Sequence, residues 1–238
     1  MDTTTRTLGL IGGMSWHSTM TYYRILNETV AAERGGHASA RIVLQSLDFS
    51  EVRACQLAGD WDRAARLLAE AARHCVGGGA EVVAICTNLM HKVAPQVEAA
   101  IDVPLLHIAD AVAAEGERRG WQRLGILGTR WVMEEPFYAD RLARHGKQAV
   151  VPDAADRELV DRIVFDELTQ GKVLERSRAA YLEVVRRLAD QGAEAVVLAC
   201  TEIGLLIGPD DSPLPIIDSA EVHARELARA ALAAPARA

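Results

Sequence analysis

The sequence of 238 residues contains little that is typical of a membrane protein or a nucleic-acid-binding protein. Its apolar runs are too short to span a bilayer, and the first residues, Met-Asp-Thr-Thr-Thr-Arg, lack the hydrophobic segment of a signal peptide. The formal net charge of −7 disfavours a surface for nucleic acid. We therefore expect no membrane and no nucleic-acid partner, and a cytoplasmic location.

Cysteine is also scarce, and the four cysteines show no spacing that is typical of a metal site or a disulfide framework. They are Cys55, Cys75, Cys86 and Cys200. No lysine lies in a recognisable pyridoxal-phosphate motif. The sequence therefore predicts a reduced protein that holds no metal and uses no cofactor.

The most informative feature that is present is a strand motif that occurs twice. Residues 79–88, Gly-Ala-Glu-Val-Val-Ala-Ile-Cys-Thr-Asn, recur at 192–201 as Gly-Ala-Glu-Ala-Val-Val-Leu-Ala-Cys-Thr. Two further segments recur in the same order and at nearly the same separation: 8–12 as 124–128, and 104–106 as 215–217. A period of this length predicts two copies of one small domain, because solenoid repeats are much shorter.

Strand-like runs alternate with stretches of helical spacing along the chain. The runs begin at Leu8, Ile42, Val82, Leu105, Leu124, Val196 and Ile216. This order predicts an α/β fold of two similar parallel-sheet domains, related by pseudo-two-fold symmetry, with the active site in the cleft between them. The first domain is expected at residues 1–112 with the C-terminal helix 216–238, and the second at 113–215.

Local signals predict several helix boundaries. Ser15 is a candidate N-cap, and the glycines at 77–79 and at 192 are expected to end helices before the two copies of the repeated motif. An amphipathic helix is expected at 219–232, with Asp218 as its cap. His107 is interpreted as a structural histidine, whereas His91 and Lys92 fit solvated helix residues as well as they fit functional ones.

The two repeated strands end in groups that can carry proton-transfer chemistry. The repeat places Thr87 opposite Cys200, and both follow apolar runs typical of buried parallel strands, whose carboxyl ends open into ligand crevices. Cys86 is a rival to Thr87, because a thiol ionises more easily than an aliphatic hydroxyl. Side chains alternate along a strand, so one of the two faces the crevice and the other the interior. The repeat favours Thr87 and the chemistry favours Cys86.

A glycine-rich turn at 8–15 joins a strand to a helix start. It matches neither common nucleotide-binding motif, and its backbone amides suit a carboxylate. Together these motifs resemble the aspartate/glutamate racemase family over nearly the whole chain. The matching residues are 12–16, 18–19, 22–24, Thr-Asn-Leu-Met-His-Lys at 87–92, Leu-Gly-Thr-Arg at 127–130 and Cys-Thr-Glu-Ile-Gly at 200–204.

The resemblance implies a cofactor-independent racemase in which Thr87 and Cys200 act on opposite faces of the α-carbon. It is closest in pattern to a subgroup that acts on L-aspartate and L-glutamate and carries Thr at the first catalytic position. Implied substrate-binding residues are Met14, Ser15, Gln56, Asn88 and Thr201. Leu89 stands where the family usually has a Thr that helps hold the substrate carboxylate.

The expected partner is therefore a small amino-acid substrate. A homodimer is possible, and the sequence does not decide the oligomeric state. Cys200 is expected to act as a thiolate that backbone amides stabilise. Two alternatives keep the same fold: a single-cysteine decarboxylase or isomerase of the same superfamily, and a non-catalytic amino-acid-binding protein.

Overall fold

The computed structural model describes residues 5–233, which divide into two compact units. The first comprises residues 5–108 and 223–233, and the second comprises residues 109–222. The C-terminal helix therefore contributes its last turns to the unit that begins the chain. In the described part of the chain, no helix is long and apolar enough to cross a membrane.

The first unit is a parallel four-stranded sheet with helices. Its strands are β1 (Leu8–Gly12), β2 (Ile42–Ser46), β3 (Val82–Ile85) and β4 (Leu105–Leu106), in the order β2-β1-β3-β4. Its helices are α1 (Trp16–Arg34), α2 (Phe49–Ala58), α3 (Trp61–Gly77) and α4 (Ala94–Glu98), with a 3-10 helix at Leu89–Val93. Strands β1 and β3 are buried along their whole length, because they are apolar and lie at the centre of the sheet.

The second unit repeats this arrangement. Its strands are β5 (Arg123–Gly128), β6 (Gln148–Val150), β7 (Ala195–Ala199) and β8 (Ile216–Asp218), all parallel and in the order β6-β5-β7-β8. Its helices are α5 (Ile108–Arg119), α6 (Arg130–Glu134), α7 (Pro136–Arg144), α8 (Ala154–Asp166), α9 (Glu175–Asp190) and the start of α10 (Ser219–Leu232). The predicted fold class of two similar parallel-sheet α/β domains is confirmed.

The predicted boundaries agree with the structure at the repeated motif. Helix α3 ends at Gly77, and the backbone of Gly79 and Gly192 has φ of +91° and +86°, a region that favours glycine. Helix α10 spans the predicted residues, and Asp218 Oδ1 accepts hydrogen bonds from the backbone N–H groups of Ala220 and Glu221. The expected cap of this helix is therefore confirmed.

Candidate active site

The turn after β1 requires glycine at two consecutive positions. A Cβ on Gly12 would lie 2.6 Å from the Thr19 side chain, and one on Gly13 would lie 2.1 Å from the Leu47 carbonyl oxygen. Gly13 also has φ of +88°. The Thr19 hydroxyl accepts a hydrogen bond from Gly13 N–H at 2.8 Å and donates one to Ser15 O at 3.1 Å. These bonds hold the turn that carries Met14 and Ser15 at the end of β1.

Two of the predicted substrate-binding residues lie in this turn. Met14 is buried, and Ser15 occupies the N-cap position of α1 without a capping hydrogen bond from its side chain. The Gly13 amide is engaged by Thr19, so it does not supply the free donor that the sequence led us to expect. The expectation that backbone amides near Ser15 hold a carboxylate stays a prediction.

The end of β3 distinguishes Cys86 from Thr87. Cys86 is 1% exposed and its N–H donates to Ile11 O of the neighbouring strand, whereas Thr87 is partly exposed. Burial, and to a smaller extent the charge of Cys75, raises the pKa of the Cys86 thiol. Alternation along the strand therefore turns Cys86 into the interior, where it remains a neutral thiol.

Residues after β3 are mostly buried. Asn88 is 2% exposed, and Leu89, which stands where the family usually has Thr, is 6% exposed. Gln56 of α2 is also buried, and its Nε2 donates to Met90 Sδ at 3.3 Å while its Oε1 accepts from Arg53 Nη1 at 3.2 Å. The bond to Met90 holds α2 against the segment after β3, and the bond from Arg53 places a cation beside Gln56.

His91 is buried at 2% exposure, so its interpretation as a solvated helix residue is wrong. Its ring lies near the rings of His107 and His223. Lys92 is partly exposed, and its ammonium lies 3.8 Å from the centre of the Trp61 ring. Burial, followed by the charges of His107 and His223, holds the pKa of His91 well below its usual range.

This pKa predicts an acid-sensitive stability. Below about pH 6.5 the unfolded chain protonates His91 and the folded chain does not, so the free energy of unfolding falls as pH falls, by up to about 1.4 kcal/mol for each pH unit. Urea unfolding at pH 7 and pH 5.5 measures this slope. We expect His91→Asn to remove the part of this pH dependence that the titration of one histidine causes. An unchanged pH dependence of the free energy of unfolding would contradict the low pKa of His91.

In the second unit, the end of β7 carries Cys200 and Thr201. Cys200 is partly exposed, in contrast to the other three cysteines, which are buried. Its Sγ donates to Glu202 Oε2 at 3.2 Å, and Thr201 Oγ1 donates to the same oxygen at 2.7 Å. Glu202 is therefore an acceptor for both side chains that precede it.

The surroundings of Cys200 favour the neutral thiol. Burial first, and then the negative charges of Glu202 and Asp161, raise the pKa of Cys200 well above its ordinary value, while the backbone N–H of Glu202 acts in the opposite direction. The resting form of Cys200 is therefore the neutral thiol, and its action as a thiolate during the reaction stays a prediction. A carboxylate oxygen of Glu202 lies within hydrogen-bond distance of the Cys200 thiol.

Thr129, which was not among the site residues predicted from the sequence, lies at the end of the strand next to the one that carries Cys200. Thr129 follows β5, whose last residue Gly128 pairs with Ala199 of β7. Its side chain is 7% exposed, and its hydroxyl oxygen has no hydrogen-bond partner among the described residues. Asp161 Oδ1 accepts from the next backbone amide, Arg130 N–H, at 2.7 Å. Within the described part of the chain, the Thr129 hydroxyl is therefore a buried polar group without a partner at the end of β5.

The protonation state of Cys200 can be tested directly by replacing Glu202. We expect Glu202→Gln to lower the pKa of the Cys200 thiol, because the nearest negative charge is removed. The rate of alkylation by iodoacetamide at neutral pH should then rise by roughly an order of magnitude.

The labelling site is checked by mass spectrometry, and Cys200→Ser is the blank. The other three thiols are buried and should label slowly. An unchanged pH profile of alkylation in Glu202→Gln would show that this carboxylate does not control the thiol.

The fold and these strand-end groups define an α/β protein of two similar domains with a partly exposed threonine or cysteine after a central strand of each sheet. The sequence profile of the Asp/Glu/Hydantoin racemase family matches residues 11–227, and the chain belongs to that family. Within the described residues, no cluster of three or more His, Cys, Asp or Glu side chains could hold a metal ion.

Solved structures support the same assignment. A provisionally assigned Asp/Glu racemase from Yersinia pestis is 48% identical, with a TM-score of 0.91 over 95% of this chain and 99% of that chain. An aspartate racemase homologue from Pyrococcus horikoshii is 31% identical, with a TM-score of 0.81 over the same shares. An arylmalonate decarboxylase mutant, 13% identical with a TM-score of 0.55, shares the fold.

Curated relatives match over a shorter region. The broad specificity amino-acid racemase RacX of Bacillus subtilis is 22% identical over 147 residues, which are 62% of this chain and 63% of that protein. A glutamate racemase of Thermus thermophilus is 28% identical over 155 residues, 63% of this chain and 54% of that protein. The alignments thus span between half and two thirds of the length of these relatives.

Proposed function

We propose that this protein is a cofactor-independent racemase of a small amino acid, most simply aspartate or glutamate, with Thr87 and Cys200 as its two proton-transfer groups. The observation that carries the proposal is the environment of Cys200, a partly exposed thiol with a carboxylate base in hydrogen-bond contact. Thr87 supports it, because it is the accessible group at the equivalent strand end.

The reaction removes the α-proton on one face of the substrate and returns a proton on the other. The Cys200 thiol first passes its proton to Glu202, and the thiolate then takes the α-proton, so the S–H bond is restored as the C–H bond breaks. Glu202 releases its proton to solvent, which balances the proton that Thr87 takes from water. Thr87 donates its hydroxyl proton to the opposite face and recovers one from water. Asn88 and Thr201 are the proposed partners of the substrate carboxylate, where negative charge develops.

The conversions of the two enantiomers into each other should differ in kcat. In the reverse direction Cys200 donates, which suits its neutral resting state, but Thr87 must act as the base. A threonine hydroxyl is a weak base near neutral pH. The structure therefore supports a difference in kcat between the enantiomers, matched by a difference in KM because the two enantiomers have equal free energy.

The choice of an acidic substrate is supported by Arg53. Its guanidinium donates to Gln56, a proposed substrate-binding residue, so a positive charge lies beside that side chain. The relatives named for amino-acid, glutamate and aspartate racemisation are consistent with this choice.

The proposal is tested by incubating the protein with a panel of amino acids in D₂O, with a chelator and no added cofactor. A racemase inverts the substrate and introduces solvent deuterium at Cα while the carbon skeleton stays intact. Release of carbon dioxide from a malonate-type acid would instead indicate the decarboxylase alternative. Binding without exchange would indicate a binding protein, and activity that a metal restores would contradict cofactor independence.

A further inference from the structure

His91 makes one hydrogen bond to a backbone carbonyl and one to a backbone amide. Its Nδ1 lies 2.8 Å from the carbonyl oxygen of Thr87, and its Nε2 lies 3.1 Å from the backbone nitrogen of Ile108. The Ile108 amide can only donate, and the Thr87 carbonyl can only accept. The proton of the neutral ring must therefore be on Nδ1.

This assignment leaves no place for a second proton. Protonating Nε2 would turn the ring nitrogen that accepts from Ile108 N–H into a donor, and the two donors would then face each other. The low pKa of His91, which burial and the neighbouring histidines cause, agrees with a permanently neutral ring. His91 is therefore a fixed link between the end of β3 and the start of α5.

The ring is held in place by a buried cluster of the same unit. The His107 ring centre lies 4.3 Å away and the His223 ring centre 5.9 Å away. His223 donates from Nε2 to Leu106 O at 2.9 Å and accepts at Nδ1 from the Tyr22 hydroxyl at 2.8 Å. The cluster ties α1, β4 and α10 around His91, so its ring has little freedom to turn.

The anchored carbonyl belongs to a peptide plane that the proposed reaction depends on. The C=O of Thr87 and the N–H of Asn88 share one planar peptide unit and point in opposite directions. A ring that fixes the carbonyl therefore fixes the direction of the Asn88 amide and the backbone that carries the Thr87 side chain. Both residues belong to the candidate site.

We infer that His91 is a positioning residue, which holds the Thr87–Asn88 peptide so that the Thr87 hydroxyl meets the α-carbon in one orientation. The inference rests on the proposed function. His91 does not touch the reacting atoms, so its loss should lower kcat more than it raises KM. Misplacement by about 1 Å lowers the rate by roughly a hundredfold.

The test compares two variants that each keep one of the two bonds. In His91→Asn the amide nitrogen can take the place of Nδ1 and donate to Thr87 O, whereas in His91→Gln the longer amide can reach the place of Nε2 and accept from Ile108 N–H. We expect His91→Asn to keep kcat within about tenfold of the wild type, and His91→Gln to lose about a hundredfold. Cys86→Ala, a buried change in the same unit outside this cluster, should lower stability and leave kcat within about threefold.

The outcomes separate a positioning role from a structural one. Equal losses of kcat in both variants, or a more active His91→Gln, would overturn the inference. Urea unfolding of each variant shows whether stability follows the same order as kcat, as a purely structural role requires.

A measurement without activity tests the anchor itself. The ¹⁵N spectrum of histidine in the wild-type protein should show His91 as the neutral Nδ1–H form, and a proton on Nε2 would overturn the inference. A wild-type protein with this spectrum but no α-proton exchange on any amino acid would overturn the proposed function and leave the anchor intact.

Discussion

The Cys200→Ser variant is expected to lose roughly three orders of magnitude of α-proton exchange with both enantiomers. The thiol is the proton-transfer group on its face in either direction, and a serine hydroxyl at this position is a far weaker acid. Glu202 remains in place but has no acidic partner to deprotonate. Deuterium incorporation at Cα, followed by NMR from each enantiomer, measures the loss.

The matched control for this variant is Cys86→Ala. Cys86 is a buried neutral thiol, so its truncation should lower the free energy of unfolding by about 1 kcal/mol and leave exchange close to wild type. Circular dichroism and urea unfolding establish that both variants fold. Exchange that persists in a folded Cys200→Ser protein would remove this cysteine from the reaction.

Thr87→Ala is expected to reduce racemisation by roughly a hundredfold or more, because the group that serves the opposite face is removed. Exchange on the face served by Cys200 should persist, so the substrate would take up deuterium without inverting. Chiral chromatography and NMR of the same sample report inversion and deuterium uptake separately. Thr87→Cys should restore a two-thiol arrangement and make the forward and reverse rates more alike.

Thr87 and Cys86 are adjacent, so one set of variants chooses between them. We expect Thr87→Ala to be severely impaired in racemisation and Cys86→Ala to be nearly normal. If Cys86→Ala folds and is as inactive as Cys200→Ser, while Thr87→Ala is nearly normal, the catalytic residue at the end of β3 has been misassigned.

Most of the fold could be predicted because the strands at the centre of each sheet are long apolar runs. Predicted starts at Leu124 and Val196 differ from the observed starts of β5 and β7 by one residue. Strand β6 was missed, since Gln148–Val150 is three residues long and lies at the edge of its sheet, where burial imposes little pattern. Pairing with β5, rather than local sequence, defines this strand.

The candidate site was predictable only where the local pattern determines orientation. Alternation along β3 predicts that Cys86 and Thr87 face opposite ways, and the repeat adds that Thr87 is the accessible one, as the burial of Cys86 shows. The ionisation state of Cys200 was not predictable, since Asp161 lies on a distant helix and the direction of the Glu202 side chain is a tertiary property. The same holds for His91, whose burial depends on residues brought in by α5 and α10.

The measurement that tests the central claim most directly is α-deuterium exchange from each pure enantiomer, in the wild type and in Thr87→Ala. We expect the wild type to invert both enantiomers of one amino acid with one solvent deuterium at Cα. We expect Thr87→Ala to exchange only the enantiomer whose α-proton Cys200 removes, without inverting it. Inversion of both enantiomers at the wild-type rate by Thr87→Ala would contradict the two-group mechanism, and no exchange by the wild type with any amino acid would contradict the racemase function.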